Sequence, residues 1–184
     1  MDILKKIAEI LNKLDCTWAI GSSMMLKFNG LVKNPRDIDI LIEAKDSQKI
    51  KKAMDNIGQS LDLPSKDPFR TKEFFGYNID GVEVEFMGDF SIELENKSIY
   101  KFILDEKSIK YLTNLDKVVI PTTTLEDWFV AYLVMRDPKG RVPIIKKYLV
   151  KNGIKHEELL KRNLEQDLPN DIKNEIIELL NINK

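Results

Sequence analysis

Three groups of residues have types and spacings that could do chemistry. Asp37 and Asp39 flank Ile38 at the start of an apolar run that continues through Ile40, Leu41 and Ile42. Side chains alternate faces along a strand, so both carboxylates share one face and the isoleucines share the other. Carboxylates roughly 7 Å apart along a strand repel unless a cation lies between them or water solvates them. An edge strand with one wetted face, or pairing with Arg36, would also satisfy them. The second group is Val82 to Met87, where Glu83 and Glu85 share a face and Val82, Val84 and Phe86 share the opposite one. Glu83 adjoins the Asp80-Gly81 turn and is easily solvated. Glu85 lies deeper, between Val84 and Phe86, where an unpaired charge is expensive. An ordinary half-exposed hairpin strand shows the same alternation. The third group is Gly21-Ser22-Ser23, which follows the apolar Ile20. Glycine lets the backbone approach a ligand closely, and hydroxyls with free N–H groups at a helix start receive an anion. A plain helix cap uses the same residues. Arg36, Lys27 and Lys33 are close enough in sequence to help neutralise such an anion.

Periodicity and chain breakers predict the elements that must position these groups. Ile3, Leu4, Ile7, Ile10, Leu11 and Leu14 recur at helical spacing, with Asp2 as a cap. Thr17 to Ile20 reads as a short strand, and Met24, Met25 and Phe28 mark a short helix closed by Asn29-Gly30. Asp37 to Ile42 is the next strand, and Asp46 or Ser47 caps a helix that stops at Gly58. Arg70 to Ile79 and Val82 to Met87 form a hairpin, because Asp-Gly favours a two-residue turn. Residues 88–116 lack a clean period and read as loop with short helical pieces. Val118 to Ile120 is a short strand ending at Pro121, and Thr123 with Glu126 fits a capping box. Trp128 and Tyr132 share a face of the following helix, as core or as the wall of a base pocket. Helices over 139–150, 157–163 and 171–180 complete the chain. The order implies an α+β (α/β) fold: a small mixed β-sheet with flanking helices over 1–121, and a C-terminal helical tail over 122–184. No flexible linker precedes the tail, so it is expected to pack on the first part.

Composition removes several classes of function. The 184 residues carry 29 Lys and Arg against 30 Asp and Glu, a net charge of −1. General DNA binding calls for a basic excess. One cysteine, Cys16, excludes an internal disulfide and a Cys-rich zinc site, and Cys16 reads as a buried, inert thiol. One histidine, His156, excludes a two-histidine zinc helix and reads as a solvated surface group. The longest apolar run, Trp128 to Met135, is far short of the ~20 residues that span a bilayer. No signal-peptide pattern follows Met1, so a cytoplasmic protein without membrane contact is expected. The groups left in quantity are carboxylates, which points to carboxylate and metal chemistry.

In chain order, Ile20-Gly21-Ser22, Arg36-Asp37-Ile38-Asp39-Ile40 and Val84-Glu85-Phe86 resemble the nucleotidyltransferase fold superfamily. That superfamily includes DNA polymerase beta, the antibiotic nucleotidyltransferases and many minimal bacterial nucleotidyltransferases. The resemblance covers roughly residues 15 to 135, and it departs from the pattern in having Glu85 where Asp is commoner. It implies Mg²⁺ or Mn²⁺ held by Asp37, Asp39 and Glu85, with Glu83 as the other register for the third carboxylate. It implies ATP or another nucleoside triphosphate bound against Gly21, Ser22, Ser23 and Arg36. An acceptor hydroxyl would attack the α-phosphorus in line, giving a nucleotidylated acceptor and pyrophosphate. The acceptor stays open between a small molecule, a protein side chain and an RNA end. Some members of the superfamily belong to toxin–antitoxin pairs, so a non-catalytic nucleotide-binding or partner-binding module of the same fold is the alternative.

Overall fold

The computed structural model describes residues 1–64 and 66–182, with residues 111–114 described in backbone alone. Helical spacing of apolar residues folds Asp2–Leu11 into α1, which buries Leu4, Ile7, Ala8 and Leu11. β1 (Trp18–Ile20), α2 (Ser22–Phe28) and β2 (Ile38–Ile42) follow. A 3₁₀ turn over Ala44–Asp46 leads into α3 (Ser47–Met54). The middle of the chain forms β3 (Gln59–Leu61), β4 (Glu73–Ile79), β5 (Val82–Gly88), β6 (Ser91–Glu93), β7 (Ile99–Lys101), β8 (Ile109–Leu115) and β9 (Val118–Thr123). Four helices end it: α4 (Leu125–Val134), α5 (Val142–Asn152), α6 (Glu157–Leu164) and α7 (Asn170–Ile182).

Seven strands form one mixed sheet in the order β3-β4-β5-β2-β1-β9-β8, and β6 pairs with β7 separately. β2 lies between β1 (antiparallel) and β5 (parallel), and all five of its residues are buried. That central position removes the edge-strand reading of the aspartates. β4 and β5 are the expected hairpin. Asp80 and Gly81 both have positive φ (51° and 84°), as the favoured two-residue turn demands. On one sheet face Phe75 stacks on Phe86 at 5.0 Å between ring centroids. α3 covers that face: the Tyr77 hydroxyl donates to Asp55 at 2.7 Å, and Lys51 Nζ lies 4.6 Å from the Phe75 ring centre. The carboxylates therefore belong to the opposite face.

The C-terminal helices join the same apolar core, which runs from Leu4 to Leu180. Asp127, buried on α4, accepts from Asn163 at 2.8 Å on α6. Arg162 bridges Asp127 and Asp105, at 3.5 and 2.7 Å. The expected division at 121/122 falls inside β9.

Several local expectations are corrected. α1 stops at Leu11 rather than Leu14, and Asp2 lies in its first turn while Met1 is the cap. Residues 88–116 hold strands β6, β7 and β8 rather than helical pieces. β6 and β7 have three residues each, too few to show a period. The β8–β9 turn uses Asp116 and Lys117 at positive φ (49° and 74°), without the glycine that advertises a hairpin. β9 continues through Pro121 to Thr123. Three consecutive threonines made the cap of α4 ambiguous: Thr124, one residue later than expected, accepts the Asp127 N–H at 3.4 Å. Glu126 instead accepts the N–H groups of Lys155 and His156. His156 is half-buried rather than solvated, its Nδ1 3.5 Å from Glu158. Cys16 is also half-buried, and burial pushes its thiol up to about 11, which keeps it protonated.

Candidate active site

The chain leaves β1 at Ile20 and turns at Gly21, whose N–H donates to the Asp39 carbonyl at 3.0 Å. A Cβ on Gly21 would lie 2.4 Å from the Trp128 indole, so aromatic packing by itself requires glycine there. Trp128 stays in place through its Nε1, which donates to Thr123 Oγ1 at 2.7 Å, and through rings Phe90 and Phe102. It is core and not the wall of an open pocket. Ser22 follows with φ 47°, a left-handed conformation uncommon outside glycine. Its hydroxyl lies 3.1 Å from the hydroxyl of Tyr132, which is buried on α4. Ser23 is buried and donates to Asp37 Oδ1 at 3.4 Å. The Gly-Ser-Ser turn is thus bonded to both aspartates, to Asp39 by backbone and to Asp37 by side chain.

Strand pairing puts Asp39 directly beside Glu85, since β2 and β5 are parallel with those two residues in register. Neighbouring strands are about 4.8 Å apart, so the two side chains leave the same sheet face from adjacent points. Asp37 lies one residue before β2 and is half-buried, while Asp39 is only 8% exposed. Glu85 is half-buried, whereas Glu83 is exposed opposite Asn78. Among the described residues no salt bridge holds Asp37, Asp39 or Glu85. Burial, then the charges of Asp37 and Glu85, push Asp39 up to about 7, against a hydrogen bond from Ser22 and the positive charge of Lys139. Glu85 is also raised, by burial first and then by Asp37 and Glu83, with Lys139 and Lys66 opposing.

The cations that act on this cluster are therefore Lys139 and Lys66, which the sequence reading did not single out. Arg36, which it did, is exposed. Lys139 belongs to the α4–α5 loop, where Arg136 and Asp137 have positive φ (60° and 47°). Nothing in its spacing marks it, because about a hundred residues separate it from Asp39 and only the fold joins them.

No protein-family model and no curated protein matches the sequence. Solved structures do match. A candidate nucleotidyltransferase from Thermotoga maritima aligns with a TM-score of 0.65 at 22% identity, over 82% of this chain and 92% of that one. The antibiotic-resistance factor ANT(2″)-Ia aligns in its solution structure with a TM-score of 0.58 at 10% identity, over 88% of this chain and 87% of that one. Its crystal structure with adenylyl-2″-tobramycin aligns at 0.56 and 10%, over 98% of this chain and 96% of that one. This chain has the nucleotidyltransferase fold.

Within the nucleotidyltransferase fold, Asp37, Asp39 and Glu85 offer hard oxygen donors of the kind Mg²⁺ and Mn²⁺ prefer. Among the described residues, no three acidic, histidine or cysteine side chains are gathered closely enough to hold a metal ion as placed. The donor set fits such a cation in chemistry and in strand register, and side-chain rotation would have to close it. Asp39 is raised by burial first and by the charges of Asp37 and Glu85 second, and a dication would oppose both. Among the described residues no helix is long and apolar enough to cross a membrane.

Proposed function

We propose that this protein is a metal-dependent nucleotidyltransferase that transfers a nucleoside monophosphate, with ATP as the leading donor, to an acceptor hydroxyl. The observation that carries the reading is the in-register pair of buried Asp39 and half-buried Glu85, with Asp37 alongside, no salt bridge among the described residues, and both aspartates bonded to the Gly21-Ser22-Ser23 turn. Like charges on a central strand oppose folding, and a bound cation is the plainest reason to keep them. The ANT(2″)-Ia complex with adenylyl-2″-tobramycin supports an adenylyl donor and a hydroxyl acceptor by likeness of fold.

In this reading Asp37, Asp39 and Glu85 hold Mg²⁺ or Mn²⁺. Bound there, the metal supplies charge neutralisation for the triphosphate and a lowered pKa for the acceptor hydroxyl. The N–H groups of Ser22 and Ser23, which follow the Gly21 N–H bonded to Asp39, bind phosphate oxygens, and Lys139 and Arg36 add positive charge. The acceptor oxygen forms a bond to the α-phosphorus. The bond from that phosphorus to the bridging oxygen breaks, and pyrophosphate leaves with the electron pair. Glu85 serves as a ligand to the cation or as the general base, and the hydroxyl proton passes to it in the second role and to water in the first. We place the reaction in the cytoplasm, where triphosphates and Mg²⁺ are abundant.

The test is incubation of the purified protein with each α-labelled nucleotide, Mg²⁺ or Mn²⁺, and a cell extract. Label should pass to an acceptor with wild type and not with Asp37→Asn or Asp39→Asn. Nucleotide binding without transfer under every condition would favour the non-catalytic module instead.

A further inference from the structure

A cavity of about 540 Å³ has Glu85 in its wall and none of Gly21, Ser22, Ser23, Asp37 or Asp39. Its volume falls in the range of pockets that enclose a whole small molecule, roughly 300–1,000 Å³. It lies on the carboxylate face of β4 and β5 for a reason visible in the pairing. The cross-strand neighbour of Glu85 is Gly76, so the strands put no side chain of their own there and Leu63 packs in its place. Leu63 rests on that bare patch: a Cβ on Gly76 would lie 2.5 Å from Leu63 Cδ1. Leu63, Phe69, Phe74, Met87 and Phe90 give the cavity apolar walls. Phe74 and Met87 are cross-strand partners, and the Phe69 and Phe90 rings stack at 6.2 Å, so the walls are held rather than loose.

The charged groups at the cavity are unequally engaged. Lys72 lies 3.7 Å from Asp89, and Lys66 opposes the charge of Glu85. Glu83 also lines the cavity, two residues outward from Glu85 on the same strand face, a separation of about 7 Å. It is exposed, and among the described residues no salt bridge holds it. Two lysines and two glutamates thus line the cavity, and Glu83 is the exposed carboxylate among them.

We propose that this cavity is the acceptor site, and that the acceptor is a free small molecule with an apolar, ring-sized body. That molecule carries its reacting hydroxyl at Glu85 and an ammonium group toward Glu83. The proposal rests on the transfer reading and names its substrate class. A polyhydroxylated sugar would find partners at Lys66, Thr71, Lys72, Glu83 and Glu85 but would leave hydroxyls unpaired along the Phe69, Phe74 and Phe90 wall, which is costly. A single serine or tyrosine side chain of a protein would leave most of the volume empty.

The experiment uses the full chain and three probes: 2-amino-1-phenylethanol, its neutral analogue 1-phenylethanol, and glucosamine. Saturation-transfer NMR reads probe binding, calorimetry reads Mg²⁺–ATP binding, and α-labelled ATP reads transfer to each probe and to a short RNA. Binding in the order aryl amino alcohol, aryl alcohol, sugar is expected. Thr71→Trp fills the cavity from its wall, and should abolish probe binding while Mg²⁺–ATP still binds. Glu83→Gln should weaken the ammonium probe alone, by up to about fivefold. The proposal is overturned if the sugar binds best, if Thr71→Trp leaves probe binding unchanged, or if the RNA or a protein is labelled and the aryl amino alcohol is not. In those cases nucleotide binding persists and the transfer reading survives. Absence of nucleotide binding to the wild-type chain would remove the transfer reading, and the acceptor role with it.

Discussion

Replacing Asp39 by Asn should stabilise the metal-free protein, and by an amount that grows with pH. The carboxyl of Asp39 ionises at about 7 in the folded chain against 3.8 for an ordinary aspartate. One pKa unit corresponds to about 1.4 kcal/mol, so the gap of about 3 opposes folding by about 4 kcal/mol once the group is ionised in both states. Because the folded value is raised, the sign runs against the usual carboxylate. Below the unfolded value both states are protonated and there is no penalty. Between the two values the unfolded chain releases its proton first, so native stability falls as pH rises, and above about 7 the penalty is complete. Asn keeps the shape and still accepts from Ser22, but carries no charge. The stability gained should therefore rise with pH between 5 and 8, towards about 4 kcal/mol. At about 2–4 °C per kcal/mol for a chain of this size, the difference in Tm widens with it over that interval. Thermal unfolding of both proteins in EDTA from pH 5 to pH 8 measures it. Adding Mg²⁺ at pH 8 should raise the Tm of wild type and leave the variant unmoved. A Tm difference independent of pH, or a variant less stable than wild type at pH 8, would refute the picture of a buried, like-charged carboxylate.

Three further outcomes follow from the same geometry. Glu85→Gln should abolish transfer with the fold intact by circular dichroism, while Glu83→Gln keeps kcat; the opposite result would put the third carboxylate two residues earlier. Gly21→Ala should drive a methyl into the Trp128 indole and destabilise the protein by about 1–3 kcal/mol, read by urea unfolding with tryptophan fluorescence; no loss would mean that Trp128 can shift freely. Lys139→Ala should weaken Mg²⁺–triphosphate binding in calorimetry and raise the Asp39 pKa further, since the lysine opposes that shift; unchanged binding would remove Lys139 from the phosphate site.

The sequence carries some of these features and hides others for physical reasons. Alternation along β2 and β5 is visible because a strand assigns faces by parity, so Asp37-Ile38-Asp39 and Val84-Glu85-Phe86 announce which side chains point together. Parity cannot separate Glu83 from Glu85. Their difference comes from register: Glu85 is paired with Asp39 across a parallel contact between residues far apart in sequence, and Glu83 is opposite Asn78 near the turn. The three-residue strands β6 and β7 have no period to read, and the β8–β9 turn is made by Asp116-Lys117 without a glycine. Gly21 shows the opposite difficulty. The residue was legible, but its motif suggested approach to a ligand, whereas a Trp128 indole 2.4 Å from the absent Cβ is reason enough for glycine. Lys139 and Gly76 leave no local trace at all. The first acts through space on Asp39 and Glu85 from a distant loop, and the second matters by what it omits, a side chain beside Glu85. Chemistry set by alternation within one element was readable, and chemistry set by what other elements bring to it, or leave open, required the fold.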